Sequence, residues 1–158
     1  MAFEADPKRL VTNSYGVRVT KSKFGGIVDD EVIKTASWTF SYDDLPVWTV
    51  QNLELVIPPN AKILFARFEV LTGFVGGTSY TVGTSKSVDG TVINATGLFT
   101  AANLPVASIA TRGNFVIGSG TQVGATVGVD AAELVVVATG TFTAGKARIT
   151  VQYMPEGK

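Results

Sequence analysis

The chain has 158 residues, enough for one domain that buries roughly two-thirds of its unfolded surface. Its 13 basic and 13 acidic side chains cancel, so no global field is available to hold a nucleic acid or an anionic membrane. Cysteine and histidine are both absent, which removes disulfides, thiolate nucleophiles, zinc-thiolate and imidazole ligands and any Ser-His relay, and argues against an enzyme.

Residues 1–14 read as an extended N-terminal arm. Phe3 is the one large apolar residue before Leu10, and Asp6-Pro7, Lys8 and Arg9 surround it with polar chain. Such a segment is either a frayed end or a peg that orders on a partner, with Phe3 as its anchor and Lys8, Arg9 and Arg18 facing carboxylates. Glu4, Asp6, Lys8 and Arg9 occupy the place where a signal peptide needs an apolar core, and no run approaches the about 18 apolar residues of a membrane span, so a chain without an address is expected.

Residues 15–24 alternate as a strand and stop at Gly25-Gly26. Asp29-Asp30-Glu31 lack the alternate ligand spacing and turn glycine of a calcium loop, so no metal is expected there. Residues 33–42 alternate again, with Ala36, Trp38, Phe40 and Tyr42 on one face and Thr35, Ser37, Thr39 and Ser41 on the other. Asp43 and Asp44 are adjacent, and adjacent strand residues point to opposite faces, so they do not flank one bond as an acid and a base. Residues 47–57 give a strand with Leu53, Leu55 and Ile57 inward, and Pro58-Pro59-Asn60 end it, because neither proline can donate to a ladder. Trp48 beside Val47 and Val50 reads as core or subunit interface rather than a sugar-stacking platform. Residues 63–71 follow, with Leu64, Ala66, Phe68 and Val70 inward and Arg67 and Glu69 outward. Phe65 and Leu71 also fall on the outward side, where they add apolar surface.

Beyond Leu71 lie 14 of the 17 glycines but only 9 of the 26 charged residues, which predicts short strands and tight turns. Strands are expected at 79–83, 115–117 and 122–127, a single helical turn at 100–104 before Pro105, and wide loops within 111–128. Residues 133–154 predict a hairpin of two strands. Leu134 to Ala138 is apolar on both faces, as a central strand requires. The second arm alternates Ala147, Ile149, Val151 and Tyr153 against Arg148, Thr150 and Gln152.

Several spellings approach known motifs and fail. Residues 140–147, GTFTAGKA, end in Ala147 where a phosphate-binding loop needs a hydroxyl, and a strand follows where the motif needs a helix; the expected turn accounts for Gly140 and Gly145. Gly118-Ser119-Gly120 opens no helix either. No catalytic residue, cofactor or metal is therefore assigned. The fold class expected is all-β, a jelly-roll-like antiparallel β-sandwich over residues 15–158, with 15–52 the less firmly placed part.

The run IPPNAKILFARFEVLTGFVGGTSYTVGT and the stretch ELVVVATGTFTAGKARITVQY resemble the small β-sandwich proteins of tailed-bacteriophage virions, in particular head decoration or cement proteins and head-fibre bases. The resemblance covers about residues 53–153 and rests on the proline-led strand, the Val82-Gly83-Thr84 turn and the segment from Thr139 to Lys146. It implies a structural protein on the capsid exterior, often a homotrimer, that binds the major capsid protein and stabilises the assembled head. Phe3, Lys8, Arg9, Arg18, Phe65 and Leu71 would then be capsid or subunit contacts. A tail or head-fibre module binding a host-surface glycan would share the fold.

Overall fold

A strand that buries one face must alternate, and Lys34–Ser41 (β1) does so: Ala36, Trp38 and Phe40 are buried while Thr35, Ser37 and Thr39 face water. A computed structural model describes residues 33–44, 47–49 and 56–156. The chain divides into two units, Met1–Val32 and Ile33–Lys158, and the second carries every element described. The expected arm and the strand at 15–24 lie outside the described residues, as do Phe3, Lys8, Arg9, Arg18, the run Asp29-Asp30-Glu31, and Leu53 and Leu55.

After β1 come Val47–Thr49 (β2), Lys62–Gly76 (β3), Ser79–Lys86 (β4), Val92–Phe99 (β5), a short helix Val106–Ile109 (α1), Phe115–Ile117 (β6), Ala132–Thr139 (β7) and Phe142–Met154 (β8). They form two four-stranded sheets, ordered β1-β8-β3-β6 and β2-β7-β4-β5, with every pair of neighbours antiparallel. This interleaving of two Greek keys is the jelly roll. The expected all-β sandwich is therefore the observed fold.

The final stretch differs from the expected hairpin. β7 pairs with β2 and β4, whereas β8 pairs with β1 and β3, so the turn at Gly140-Thr141 carries the chain from one sheet to the other. A glycine turn is compatible with either route, and the choice is made by partners distant in sequence. β3 and β4 make the same crossing at Gly76-Gly77-Thr78, directly beside it, and the Thr78 amide donates to the Thr139 carbonyl at 2.8 Å. Gly76, Gly77 and Gly140 all have positive φ. A β-carbon on Gly77 would collide with the Phe142 ring, and one on Gly76 with the Thr141 carbonyl. The two crossings fit together only without side chains at these positions.

Beneath the crossings the core is aromatic. Tyr80 stacks on Phe142 at 4.3 Å and meets Phe74 edge-on at 5.0 Å, while Phe40, Phe68 and Phe99 continue the cluster inward at centroid separations near 6 Å. Ile63, Ala66, Val70, Ala147, Ile149 and Val151 from one sheet, and Val82, Leu134 and Val136 from the other, complete it. β7 is buried from Ala132 to Val136 on both faces, Glu133 included, and the apolar run that starts at Leu134 agrees with its central place in the sheet.

Other departures have local causes. Ile63 pairs with Tyr153 and Phe65 with Gln152, so Leu64 is the extra residue of a bulge. The parity reverses there: Ile63 is buried in place of the expected Leu64, which is half-buried. Tyr42, expected inward, is exposed because the chain turns into a 3-10 segment, Tyr42–Asp44, closed by the Ser41 amide donating to Asp44 Oδ2 at 2.8 Å. Residues 122–127 run as turns with a single bridge, Lys62 to Thr126, rather than as a strand, since Gly124 takes a positive φ and Ala125 donates back to Gln122. The expected turn at 100–104 forms, with the Asn103 and Leu104 amides donating to the Thr100 carbonyl at 3.0 and 3.3 Å, but the helix itself follows Pro105. Asn103 Oδ1 accepts from the Thr100 amide at 3.1 Å and holds 100–103 as a turn, and Pro105 then precedes α1. β5 was not expected at all.

Gly145 sits inside β8, with φ of +136°, and not in the turn. A β-carbon there would overlap the Phe74 ring. Replacing Gly145 by Val should destabilise the protein by about 1–3 kcal/mol or more, since backbone strain adds to the displaced ring. Lys146→Ala, at an exposed position, should stay within about 0.5 kcal/mol. Urea unfolding of both variants checks the contrast, and equal midpoints would contradict it.

Candidate functional site

Strand register maps the outward face of the sheet β1-β8-β3-β6 row by row. Ile117, Arg67, Thr150 and Ser37 form one row across the four strands, and Phe115, Glu69, Arg148 and Thr39 form the next. Phe65 and Gln152 begin the row beyond Ile117, and the row beyond Phe115 holds Thr72, Lys146 and Ser41. The β1–β8 side is hydroxyl-rich, with Ser37 Oγ and Thr150 Oγ1 bonded at 3.1 Å. The β6 side is apolar: Phe115 is 63% exposed and Ile117 46%.

Phe65 and Leu71, both picked out by sequence, are half-buried on β3. Phe65 joins the outward face, and Leu71 is the extra residue between Val70 and Thr72 where the register shifts. Phe115 and Ile117 were placed on a strand by sequence but given no role, because three residues are too few to display an alternation. The signal present was an apolar Phe-Val-Ile run with no charge in it.

Charge on this face is unbalanced. Arg67 Nη2 and Glu69 Oε2 form a partly exposed ion pair at 3.1 Å. Arg148 lies across from the same Glu69 and Lys146 lies in the next row, yet neither has an ion-pair partner among the described residues. Elsewhere Lys86 Nζ meets Asp130 Oδ2 at 3.0 Å. That contact holds the Lys86 ammonium above its usual range.

The polar groups near the glycine-rich loops are occupied structurally. Asn103 Oδ1 accepts from Thr100 Oγ1 at 2.9 Å and from Ser119 Oγ at 3.1 Å, Thr84 Oγ1 donates to Gln122 Oε1 at 2.9 Å, and Asn94 Nδ2 donates to Thr121 Oγ1 at 3.0 Å. The loop 118–122 is thus fastened to the sandwich. Among the described residues no three acidic groups converge on a possible metal position, and no helix is long and apolar enough to cross a membrane.

Glu133 stands apart. It is 1% exposed, lies across from Ser85 in the β4–β7 ladder, and neither its carboxylate oxygens nor Ser85 Oγ has a hydrogen-bond partner among the described residues. Val135 and Glu133 alternate with the core residues Ala132, Leu134 and Val136 and so face away from the inter-sheet core. Burial pushes the Glu133 carboxyl above its ordinary value of 4.5. With the folded value raised, native stability is fully present below the unfolded value and declines as pH rises through the folded one. Glu133→Gln removes that titration, so the melting temperature of the variant relative to the parent should climb as pH rises from about 4.5 toward 7. Thermal scans across this range check it; a pH-independent difference would contradict it.

Comparison with known proteins adds the fold's relatives. No family model matches the chain, and no curated protein matches it. A chain of the cyanophage Pam1 capsid asymmetric unit superposes with a TM-score of 0.57 at 17% identity, covering 92% of this chain and 98% of that one. One from the capsid of Ralstonia phage GP4 gives 0.55 at 17% identity over 90% and 94%. One from the acidic stable capsid of Helicobacter pylori bacteriophage KHP30 gives 0.52 at 14% identity over 78% and 88%. At these identities the likeness is one of fold: it is shared over 90–92% of this chain with chains of two phage capsids and over 78% with a chain of a third.

Proposed function

We propose that this protein is a structural component of a bacteriophage virion, a decoration or cement protein that binds the exterior of the assembled head and stabilises it. The observation that carries the reading is the match of its jelly roll to chains in three phage capsid structures, over 90–92% of this chain in two and 78% in the third. Coverage of at least 90% in both directions for two of them matters, because a domain embedded in a much larger chain would not match in this way. The chemistry of the surface supports it. The described residues bring together no acid and base around a pocket, and the outward face of β6 and β3 presents exposed apolar side chains beside unpaired cations. The protein acts without catalysis. Its partners are the major capsid protein and other copies of itself, assembled as a homotrimer.

Purified protein added to heads assembled without it should co-sediment with them at saturable stoichiometry and raise their melting temperature by several degrees, since a ligand that binds only the intact shell stabilises it by mass action. Mass photometry should give the mass of three chains. Heads that neither bind the protein nor gain stability would overturn the reading.

A further inference from the structure

We infer that Asp89-Gly90 is a latent isoaspartate site, kept silent by the closed tip between β4 and β5 and able to react only when that tip opens. An aspartate or asparagine is followed by glycine at this one place in the chain. Glycine matters because its nitrogen, with no β-carbon beside it, is the backbone amide that most easily reaches the side-chain carbonyl of the residue before it. The reaction needs no partner but water. The Gly90 nitrogen attacks Asp89 Cγ, a C–N bond forms, and the amide proton leaves with the carboxyl hydroxyl as water. Water then re-enters the five-membered imide at the main-chain carbonyl of Asp89 and breaks its bond to the Gly90 nitrogen, so the chain continues through the former side chain.

Both reacting groups are engaged in the folded protein. The Gly90 amide donates to the Lys86 carbonyl at 2.9 Å, and Asp89 Oδ1 accepts from the Thr91 amide at 2.9 Å. The Lys86 amide donates to the Thr91 carbonyl at 2.8 Å and closes the loop at its base. Lys86 Nζ on Asp130 Oδ2 at 3.0 Å and the Ser87 amide on the Ala131 carbonyl at 2.9 Å fasten it to the loop before β7. Attack requires the Gly90 N–H to leave Lys86 and the carboxylate to leave Thr91, two bonds broken together. The Thr91 bonds also hold the carboxyl below its usual value, so it stays ionised, with no hydroxyl ready to depart.

Burial does not supply the protection. Val88, Asp89 and Thr91 are exposed, so water reaches the tip freely. Hydrogen bonding holds the reaction back, and it fails where the tip opens. The product would lengthen by one backbone atom the loop that sets Ser85 opposite Val92.

Trypsin cleavage after Lys86 and Arg112 releases residues 87–112, in which Asp89 is the one acidic side chain. Isoaspartate in that fragment, separated by chromatography at unchanged mass, reports this site, and deamidation of Asn94 or Asn103 is set apart by its mass gain. Full-length protein incubated at mildly acidic pH should form it at least about tenfold more slowly folded than unfolded in urea. Thr91→Pro, which deletes the amide that holds Asp89, should accelerate the reaction in protein that a melting curve shows to be folded. Folded wild type reacting as fast as the unfolded chain, or a folded Thr91→Pro variant as slow as the parent, would overturn the assignment. Should that substitution unfold the protein, the parent followed across low urea decides: acceleration ahead of the global transition supports gating by the tip, and acceleration only with that transition overturns it.

Discussion

Two chain crossings packed against each other hold this sandwich together. At Gly76-Gly77 and again at Gly140-Thr141 the backbone leaves one sheet and joins the other, and the Thr78 amide bonded to the Thr139 carbonyl ties the crossings into a unit. Their contact sets the register of β3 against β8 and of β4 against β7, the central pairs of the two sheets. It also delivers Phe142 onto Tyr80, closing that end of the core with stacked rings. The Tyr80 hydroxyl is left without a hydrogen-bond partner among the described residues, and burial holds its phenol far above the ordinary range. Packing around the ring therefore outweighs the satisfaction of its polar end.

Features governed by near neighbours were legible in the sequence, and features governed by distant ones were not. The alternation of Ala147, Ile149 and Val151 and the two-faced apolar run of β7 were read correctly because a strand's faces are a local property. The bulge at Leu64 escaped, since a single inserted residue leaves the surrounding pattern intact while reversing its phase. The crossing at Gly140 looked like a hairpin because its turn chemistry is the same in both. β5 was missed because its ladder breaks across Ala95 to Leu98 and its residues never alternate. Of the candidate contacts, Phe65 and Leu71 could be picked out as apolar residues on a polar face, whereas the place of Phe115 and Ile117 on that face emerged only from the register of β6 against β3.

The acids of the described unit are mostly spent on architecture. Asp44 closes the turn after β1. Asp89 accepts from the Thr91 amide at 2.9 Å, which lowers its carboxyl below the usual value, and Glu156 accepts from Asn60 Nδ2 at 2.8 Å. Asp130 and Glu69 each hold a cation. Such use of carboxylates fixes the loops and strand ends that carry them. Among the described cations without an ion-pair partner, Arg148 and Lys146 share the outward face of β8.

β1 and β8 lie side by side and antiparallel, Lys34 opposite Tyr153 and Ser41 opposite Lys146. The start of the first described strand and the finish of the last therefore share one end of the sandwich. Tension applied between those two points pulls across the ladder and opens it one rung at a time, the mode in which hydrogen bonds resist least. Force entering over the broad face of the sheet is instead spread across many rungs at once. A shell that strains under internal pressure is better reinforced through that face than through tethers at the two strand ends.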